Sequence, residues 1–261
     1  MKLIDATCKN IFALLSGFTL FISCQSEGPK IIALEQLDKT FNVSAFYIPK
    51  VKKTAEILAL DVKSLDKSEL KEVFETATFK KDTLAFFDTQ GSLPTAYYLE
   101  STSNWETRNR KPHKYFGYRY TTVSYHEDKD TLAVLNGVAF PAVSMAESED
   151  GQFAYLHATK SSKNQTDYAK IRSFLQEQYK PLPVTADVST GISGWESEDF
   201  YYFLSKKERK EEQIFSFGEE AGEENTSVNI SDILLEIYSK TYIQRMREEK
   251  AYLRDYIPVV H

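Results

Sequence analysis

Runs of aromatic and β-branched residues restrict the fold of this 261-residue chain more than any other feature. Sixteen Tyr and seventeen Phe occur, and many are consecutive, as in Tyr97-Tyr98 and in the segment 200–203. These residue types favour β-strands, in which successive side chains point to opposite faces. We therefore expect strands that carry rings on both faces. They are predicted at about 55–62, 83–88, 95–100, 115–125, 131–140, 152–159, 199–205 and 212–217.

Three segments have the spacing of amphipathic helices, at about 66–78, 166–179 and 231–250. Asp66 and Glu69 form a capping-box pattern before the first helix, and the apolar residues that follow share one predicted buried face. Ser231-Asp232 has the residue types that open a helix and is predicted to begin the third. More strand than helix, with scattered helices, predicts an α+β fold built mostly of antiparallel sheet.

The predicted elements also suggest how the body is organised. Two hairpins are expected, one around the polar loop 126–130 and one around the charged turn Lys206–Glu212. A strand–helix–strand order at 56–87 recurs at 153–204, which indicates either two related halves with a cleft between them or a chance similarity. No linker rich in Ser, Gly and Pro divides residues 31–261, so we expect one globular body, with any subdivision near 145–150.

The amino-terminal segment has the pattern of an export signal. Lys2 and Lys9 precede a run of twelve mostly apolar residues, 11–22. At 1.5 Å per residue such a run covers about 18 Å, which is too short to span a bilayer and typical of a signal peptide. The run ends in Leu20-Phe21-Ile22-Ser23-Cys24, where a small residue directly precedes a cysteine.

This ending resembles the lipobox of bacterial lipoproteins, although Phe21 and Ile22 are bulkier than usual for that motif. The resemblance implies that residues 1–23 are a cleaved signal peptide, that Cys24 is lipidated and that 24–30 form a tether. Gln25 stands where some inner-membrane lipoproteins carry a retention aspartate, which favours the outer membrane of a bacterial cell envelope. The alternative is an ordinary signal peptide with a cysteine near its cleavage site.

Motifs of known chemistry are missing from the sequence. There is no Gly-x-Ser-x-Gly nucleophile elbow, phosphate-binding loop or closely spaced His/Cys pair, so we expect no catalytic residue, cofactor or metal. His126 lies beside Glu127, Asp128 and Asp130, which we interpret as a solvated loop, whereas His157 is predicted to be packed or half-buried. Lys+Arg number 32 against Asp+Glu 38, a formal net charge of −6, and no basic block occurs, which argues against nucleic-acid binding.

The remaining signal is a set of aromatic and basic residues suited to binding a protein or a glycan. The candidates are Trp105, Tyr118, Arg119, Tyr120 and Trp195. We therefore expect a membrane-anchored envelope lipoprotein that acts as a non-catalytic binding or assembly module. One alternative is a glycan hydrolase that uses acids beside Trp195, namely Glu196, Glu198 or Asp199. Another is a protective protein that neutralises a toxin in the periplasm.

Overall fold

The computed structural model describes residues 30–89, 96–183, 191–215, 224–254 and 257, with side chains for all of these except 212–215 and 224–226. The predicted signal peptide, Cys24 and the tether up to Pro29 lie outside the described residues. Among the described residues no helix has the length and apolar character needed to cross a membrane.

Strands, mostly in antiparallel sheet, are the most abundant regular structure of the described chain. The strands, in chain order, are β1 (Ile32–Ala33), β2 (Thr78–Asp88), β3 (Tyr97–Ser101), β4 (Lys114–Ser124), β5 (Ala133–Leu135), β6 (Val138–Phe140), β7 (Ala142–Ser148), β8 (Phe153–Ser162), β9 (Lys180–Leu182), β10 (Ser193–Glu196), β11 (Phe200–Phe215) and β12 (Glu224–Ser239). The α-helices are α1 (Val43–Leu58), α2 (Lys67–Glu75), α3 (Asp167–Gln178) and α4 (Lys240–Glu248). Nine strands form one sheet in the order β3-β2-β4-β7-β8-β12-β11-β10-β9, and β1-β5-β6 form a small mixed sheet. The predicted α+β class with mostly antiparallel sheets is therefore confirmed.

The large sheet has an apolar cluster on each face. Residues of α1, α3 and the small sheet pack on the first face, against alternate residues such as Met145, Leu156 and Leu235. On the second face, α4 packs with Tyr242, Ile243 and Met246 against the aromatic residues of the sheet. The predicted rings on both faces are confirmed at 200–203, where Tyr202 belongs to the first cluster and Tyr201 to the second.

Two of the three predicted helices are present. α2 begins after the predicted capping box, in which Asp66 accepts from the backbone of Glu69 and Glu69 accepts from the backbone of Asp66. The predicted buried face of α2 is wrong, because no residue of this helix is buried and Phe74 is 75% exposed. α3 matches the second prediction closely and buries Ile171 and Leu175.

The predicted helix at 231–250 is wrong over its first half. Residues 224–239 form β12, which lies between β8 and β11, and helix begins only at Lys240. Ile233, Leu235 and Ile237 face the first cluster, while Tyr238 faces the second. A strand buried on both faces has a continuous apolar run, whose spacing also fits a helix. The actual helix cap is Ser239, whose hydroxyl accepts from the backbone of Tyr242.

The predicted strand at 55–62 is also wrong, because α1 extends to Leu58. The sequence signal for this helix is weakened by Pro49 in its interior, since proline lacks a backbone donor. Asn42 caps α1 by accepting from the backbone of Ala45, and Phe46 and Tyr47 anchor the helix in the core. Without a first strand, the proposed strand–helix–strand repeat fails, and so does the cleft expected between two such halves.

Neither predicted hairpin is formed. Thr131–Phe140 does not pair with β4, because Asn136 and Gly137, both with positive φ, form a tight turn between β5 and β6 in the small sheet. The predicted turn Lys206–Glu212 continues β11 and pairs with β12. Opposite charges two residues apart share a strand face there, as in the ion pair between Lys206 and Glu208, so a charged run is compatible with an extended strand.

Gly117 lies where β4 approaches β7 most closely. A Cβ atom at this position would lie 2.1 Å from the backbone oxygen of Glu147 and 2.6 Å from backbone atoms of Ser148. Backbone atoms within a sheet move only at a cost, so we expect Gly117→Ala to lower the free energy of unfolding by about 1–3 kcal/mol. At Gly151, in contrast, an added Cβ would meet nothing within 4 Å.

Gly151→Ala is therefore the matched control for this prediction. Gly151 has φ +79°, so alanine there meets only the backbone strain of a left-handed conformation, at about 1 kcal/mol. Chemical denaturation measures the loss of unfolding free energy in each variant. The slope of this free energy against denaturant concentration should be the same as in the wild type. A Gly117→Ala protein as stable as the wild type would contradict the close approach of β4 and β7.

Candidate functional site

The second face of the large sheet is apolar at one end and polar at the other. Strand alternation places Asp82, Arg119, Ser144, His157 and Glu236 on this face, on five neighbouring strands. The buried residues of α4 pack at the apolar end of the face. The polar end contains a groove, which we call the open-face groove.

Two adjoining clefts make up the open-face groove. One has a volume of about 400 Å³ and is lined by residues that include Lys80, Arg119 and Ser144. The other has a volume of about 350 Å³ and is lined largely by aromatic and apolar side chains. Tyr155, His157 and Arg254 line both clefts and therefore lie where the two meet.

An ion-pair network around the buried Asp82 forms one wall of the groove. Asp82 is 6% exposed and accepts from Lys80 Nζ at 2.8 Å and from Ser103 Oγ at 2.7 Å. Burial raises the pKa of this carboxyl, but the hydrogen bonds from Lys80 and Ser103 outweigh burial and hold the pKa below its usual value. Arg119 Nη2 lies 3.3 Å from Glu100 and 3.9 Å from Asp82. Arg119 Nε is buried and has no hydrogen-bond partner among the described residues.

A hydrogen-bonded chain of three side chains forms the floor of the groove. The Tyr238 hydroxyl donates to Glu236 Oε1 at 2.9 Å, and His157 Nε2 lies 3.0 Å from the same hydroxyl. Since a tyrosine hydroxyl has one proton and that proton goes to Glu236, His157 Nε2–H is the donor to Tyr238. Arg254 Nε lies 3.4 Å from Glu236 and joins this chain to the rim.

His157 is therefore held as one tautomer. Burial lowers the pKa of His157 to about 4, with Glu236 acting in the opposite direction and Arg254 and Arg119 adding to the decrease. The ring stacks on Tyr155 with centroids 4.7 Å apart. In a neutral ring whose Nε2 carries the proton, Nδ1 is an acceptor. The prediction that His157 is packed or half-buried is confirmed, since its side chain is 24% exposed.

The groove contains the residue types of a hydrolase triad in a geometry that favours binding. Ser144, His157 and Glu236 lie opposite one another on β7, β8 and β12. The Ser144 hydroxyl pairs with Thr121 Oγ1 at 3.2 Å, and among the described residues no hydrogen bond joins it to His157. A histidine with a pKa of about 4 is also a weak base near neutral pH, where general-base catalysis works best with a pKa close to the working pH.

Of the residues predicted to bind a ligand, Arg119 is the one that lines the groove. Tyr118 and Tyr120 point to the opposite face, where Tyr120 is fully buried and Tyr118 packs partly against the same cluster. Trp105 is 75% exposed on the segment between β3 and β4. Trp195 is 4% exposed and lies five strands from β4, about 24 Å away at the usual strand spacing. These five residues do not form one surface.

The acids beside Trp195 lie at the sheet edge, away from the groove. Glu196 pairs with Lys180 at 2.8 Å and with Lys240 at 3.2 Å, and the hydrogen bond from Lys180 is the main reason that its pKa is lowered. A glycosidase acid needs a raised pKa, so Glu196 is poorly suited to that role. Asp199 pairs with Lys39 at 3.2 Å, and Glu198 is exposed.

The groove was not predicted as a site because its members are far apart in sequence.

No group of three His, Cys, Asp or Glu side chains in the described part of the chain could hold a metal ion, and that includes the segment around His126. The chain matches no known family model, and no curated protein or solved structure is detectably similar to it. The geometry of the groove is therefore the basis for a functional proposal.

Proposed function

We propose that this protein is a lipid-anchored binding protein of the bacterial cell envelope, attached through Cys24 and binding its ligand in the open-face groove without catalysis. The observation that carries the binding role is the meeting of two clefts at Tyr155, His157 and Arg254. Pockets of a few hundred Å³ with a small number of converging polar groups are typical of ligand sites.

The anchor is supported by the sequence that ends at Cys24. Two or three acyl chains hold a protein on a membrane for long periods, because each buried methylene contributes about 0.8 kcal/mol. Residues 25–30 could extend over at most about 21 Å, so the globular body would stay close to the lipid surface. The sequence pattern at Gln25 favours the outer membrane as the location.

We expect Cys24→Ser to move most of the protein from the membrane fraction to the soluble fraction. The variant removes the thiol that would carry the lipid, whereas Cys8→Ser changes a cysteine within the proposed leader and should leave the protein membrane-bound. Mass spectrometry of the native protein should find an amino-terminal peptide that begins at Cys24 and carries acyl chains. An unmodified start at another position would overturn the anchor.

The groove is tested with the full-length protein in detergent. We expect a soluble digest of envelope glycans and proteins to raise the temperature of unfolding, since a ligand that binds the folded state stabilises it by about 2.7 kcal/mol at a hundred times its dissociation constant. Tyr252→Ala, at the groove rim, should reduce this increase by about half or more, and Trp105→Ala, at an exposed ring outside the groove, should retain it. Equal increases in the wild type and in Tyr252→Ala would contradict a role for the groove.

A further inference from the structure

We infer that the ligand of the open-face groove is a short, electrically neutral oligosaccharide. This inference rests on the proposed binding function and narrows it to one chemical class. It follows from the charge balance of the groove, from the mixture of donors and acceptors that lines it, and from the aromatic rings at its rim.

Charge balance argues against an ionic ligand. Among the described residues, three cations line the groove, and each has a carboxylate partner in contact: Lys80 with Asp82 at 2.8 Å, Arg119 with Glu100 at 3.3 Å, and Arg254 with Glu236 at 3.4 Å. Of these three carboxylates, Asp82 lines the clefts, while Glu100 and Glu236 lie behind their partners. An anionic ligand would have to compete with the three carboxylates for these cations, and a cationic ligand would meet the cations themselves. A charged ligand is repelled by groove groups of the same sign. If the ligand displaced a cation from its carboxylate, the buried carboxylate would lose the charge that compensates it.

Both donors and acceptors line the groove, which suits hydroxyl groups. Lys80 and Arg119 can only donate, whereas Asp82 can only accept. His157 Nδ1 accepts, and the hydroxyls of Thr121 and Ser144 can do either. A sugar hydroxyl donates one hydrogen bond and accepts two, so it can pair with either kind of group without a change in charge.

The second cleft supplies the apolar contact that a sugar ring needs. Tyr252 is 49% exposed and Tyr98 is half-buried at its rim, and the Tyr98 hydroxyl accepts from Arg110 at 2.7 Å, which fixes the ring. Aromatic rings with a polar edge pack against surfaces that are partly apolar and partly wet, as sugar faces are. Clefts of about 350 and 400 Å³ also suit a small ligand better than a protein, whose interface needs about 800 Å² on each side.

The test measures binding of the full-length protein in detergent to three panels: neutral oligosaccharides, oligosaccharides that carry carboxylate or phosphate groups, and peptides. We expect a neutral oligosaccharide to bind with an affinity that changes little between low and high salt, because screening weakens only interactions between charges. Tyr252→Ala and His157→Phe should each reduce this affinity about tenfold or more. Trp105→Ala should leave it unchanged, and thermal unfolding should show that each variant is folded.

The outcomes separate this inference from the function on which it rests. Binding only of charged oligosaccharides or of peptides, lost in Tyr252→Ala, would overturn the neutral ligand and leave the groove as a binding site. Binding that neither groove variant affects would overturn both. Absence of binding from all three panels would overturn the inference, while the Cys24→Ser fractionation would still decide the anchor.

Discussion

Replacing Glu147 with alanine should lower the free energy of unfolding by about 3–5 kcal/mol, although this residue lies outside the groove. Glu147 is 3% exposed, and its carboxylate accepts from three donors. Ser44 donates from its backbone N–H at 3.1 Å and from its hydroxyl, and the Tyr120 hydroxyl donates at 3.1 Å. Each buried donor that loses its partner costs about 1–3 kcal/mol.

The carboxylate also completes the start of α1. Asn42 caps the backbone of Ala45, and Glu147 caps the backbone of Ser44, so two of the four unpaired N–H groups of the first turn are satisfied by different elements. A negative charge at this end of a helix adds about 0.3–2 kcal/mol. Glu147 therefore joins β7 and β4 to α1 through one buried group.

Chemical denaturation of three variants tests this prediction. Glu147→Gln keeps an acceptor for Tyr120 but places an amide donor near the donors of Ser44, so a smaller loss of about 1–2 kcal/mol is expected. Glu149→Ala, two residues away and exposed, should stay within about 0.5 kcal/mol of the wild type. Equal stability of the Glu147→Ala and Glu149→Ala proteins would show that the three hydrogen bonds contribute nothing.

Local signals in the sequence were sufficient for the elements whose ends are fixed by nearby residues. The capping box at Asp66 begins α2 as predicted, and the strands β2, β3, β4 and β8 lie where aromatic and β-branched residues cluster. The α+β class follows from the same signals. The position of β12 does not follow from local sequence signals, because burial on both faces removes the alternation of apolar and polar residues that identifies a strand.

The groove required strand register, which the sequence does not contain. His157 and Glu236 are 79 positions apart and become neighbours only because β8 pairs with β12 in one register. The sequence predicts a binding role for Arg119 together with Tyr118 and Tyr120, yet alternation along β4 places Arg119 on the opposite face from both tyrosines. Arg119 lines the groove, whereas a surface shared with Tyr118 and Tyr120 is not formed.

His157 should make the stability of the protein depend on pH between about 6.5 and 4. Burial lowers the pKa of His157 from an ordinary value of 6.5 to about 4 in the folded protein. As pH falls through this range, the unfolded chain binds a proton at His157 and the folded protein does not, so protons favour unfolding. The contribution of His157 to the free energy of unfolding is fully present above pH 6.5. It is lost at about 1.4 kcal/mol per unit as the pH falls to 4, which amounts to about 3 kcal/mol in all.

The comparison that isolates this effect is between the wild type and His157→Gln. Glutamine does not titrate, so the free energy of unfolding of the variant should fall less steeply between pH 6.5 and 4. The fall should be about 3 kcal/mol smaller than in the wild type. Other acid-sensitive groups, including Asp82 and Glu196, act in both proteins and cancel in the difference. Parallel profiles for the wild type and His157→Gln would mean that His157 takes up its proton equally in the folded and unfolded states, and the lowering of its pKa by burial would then be untenable.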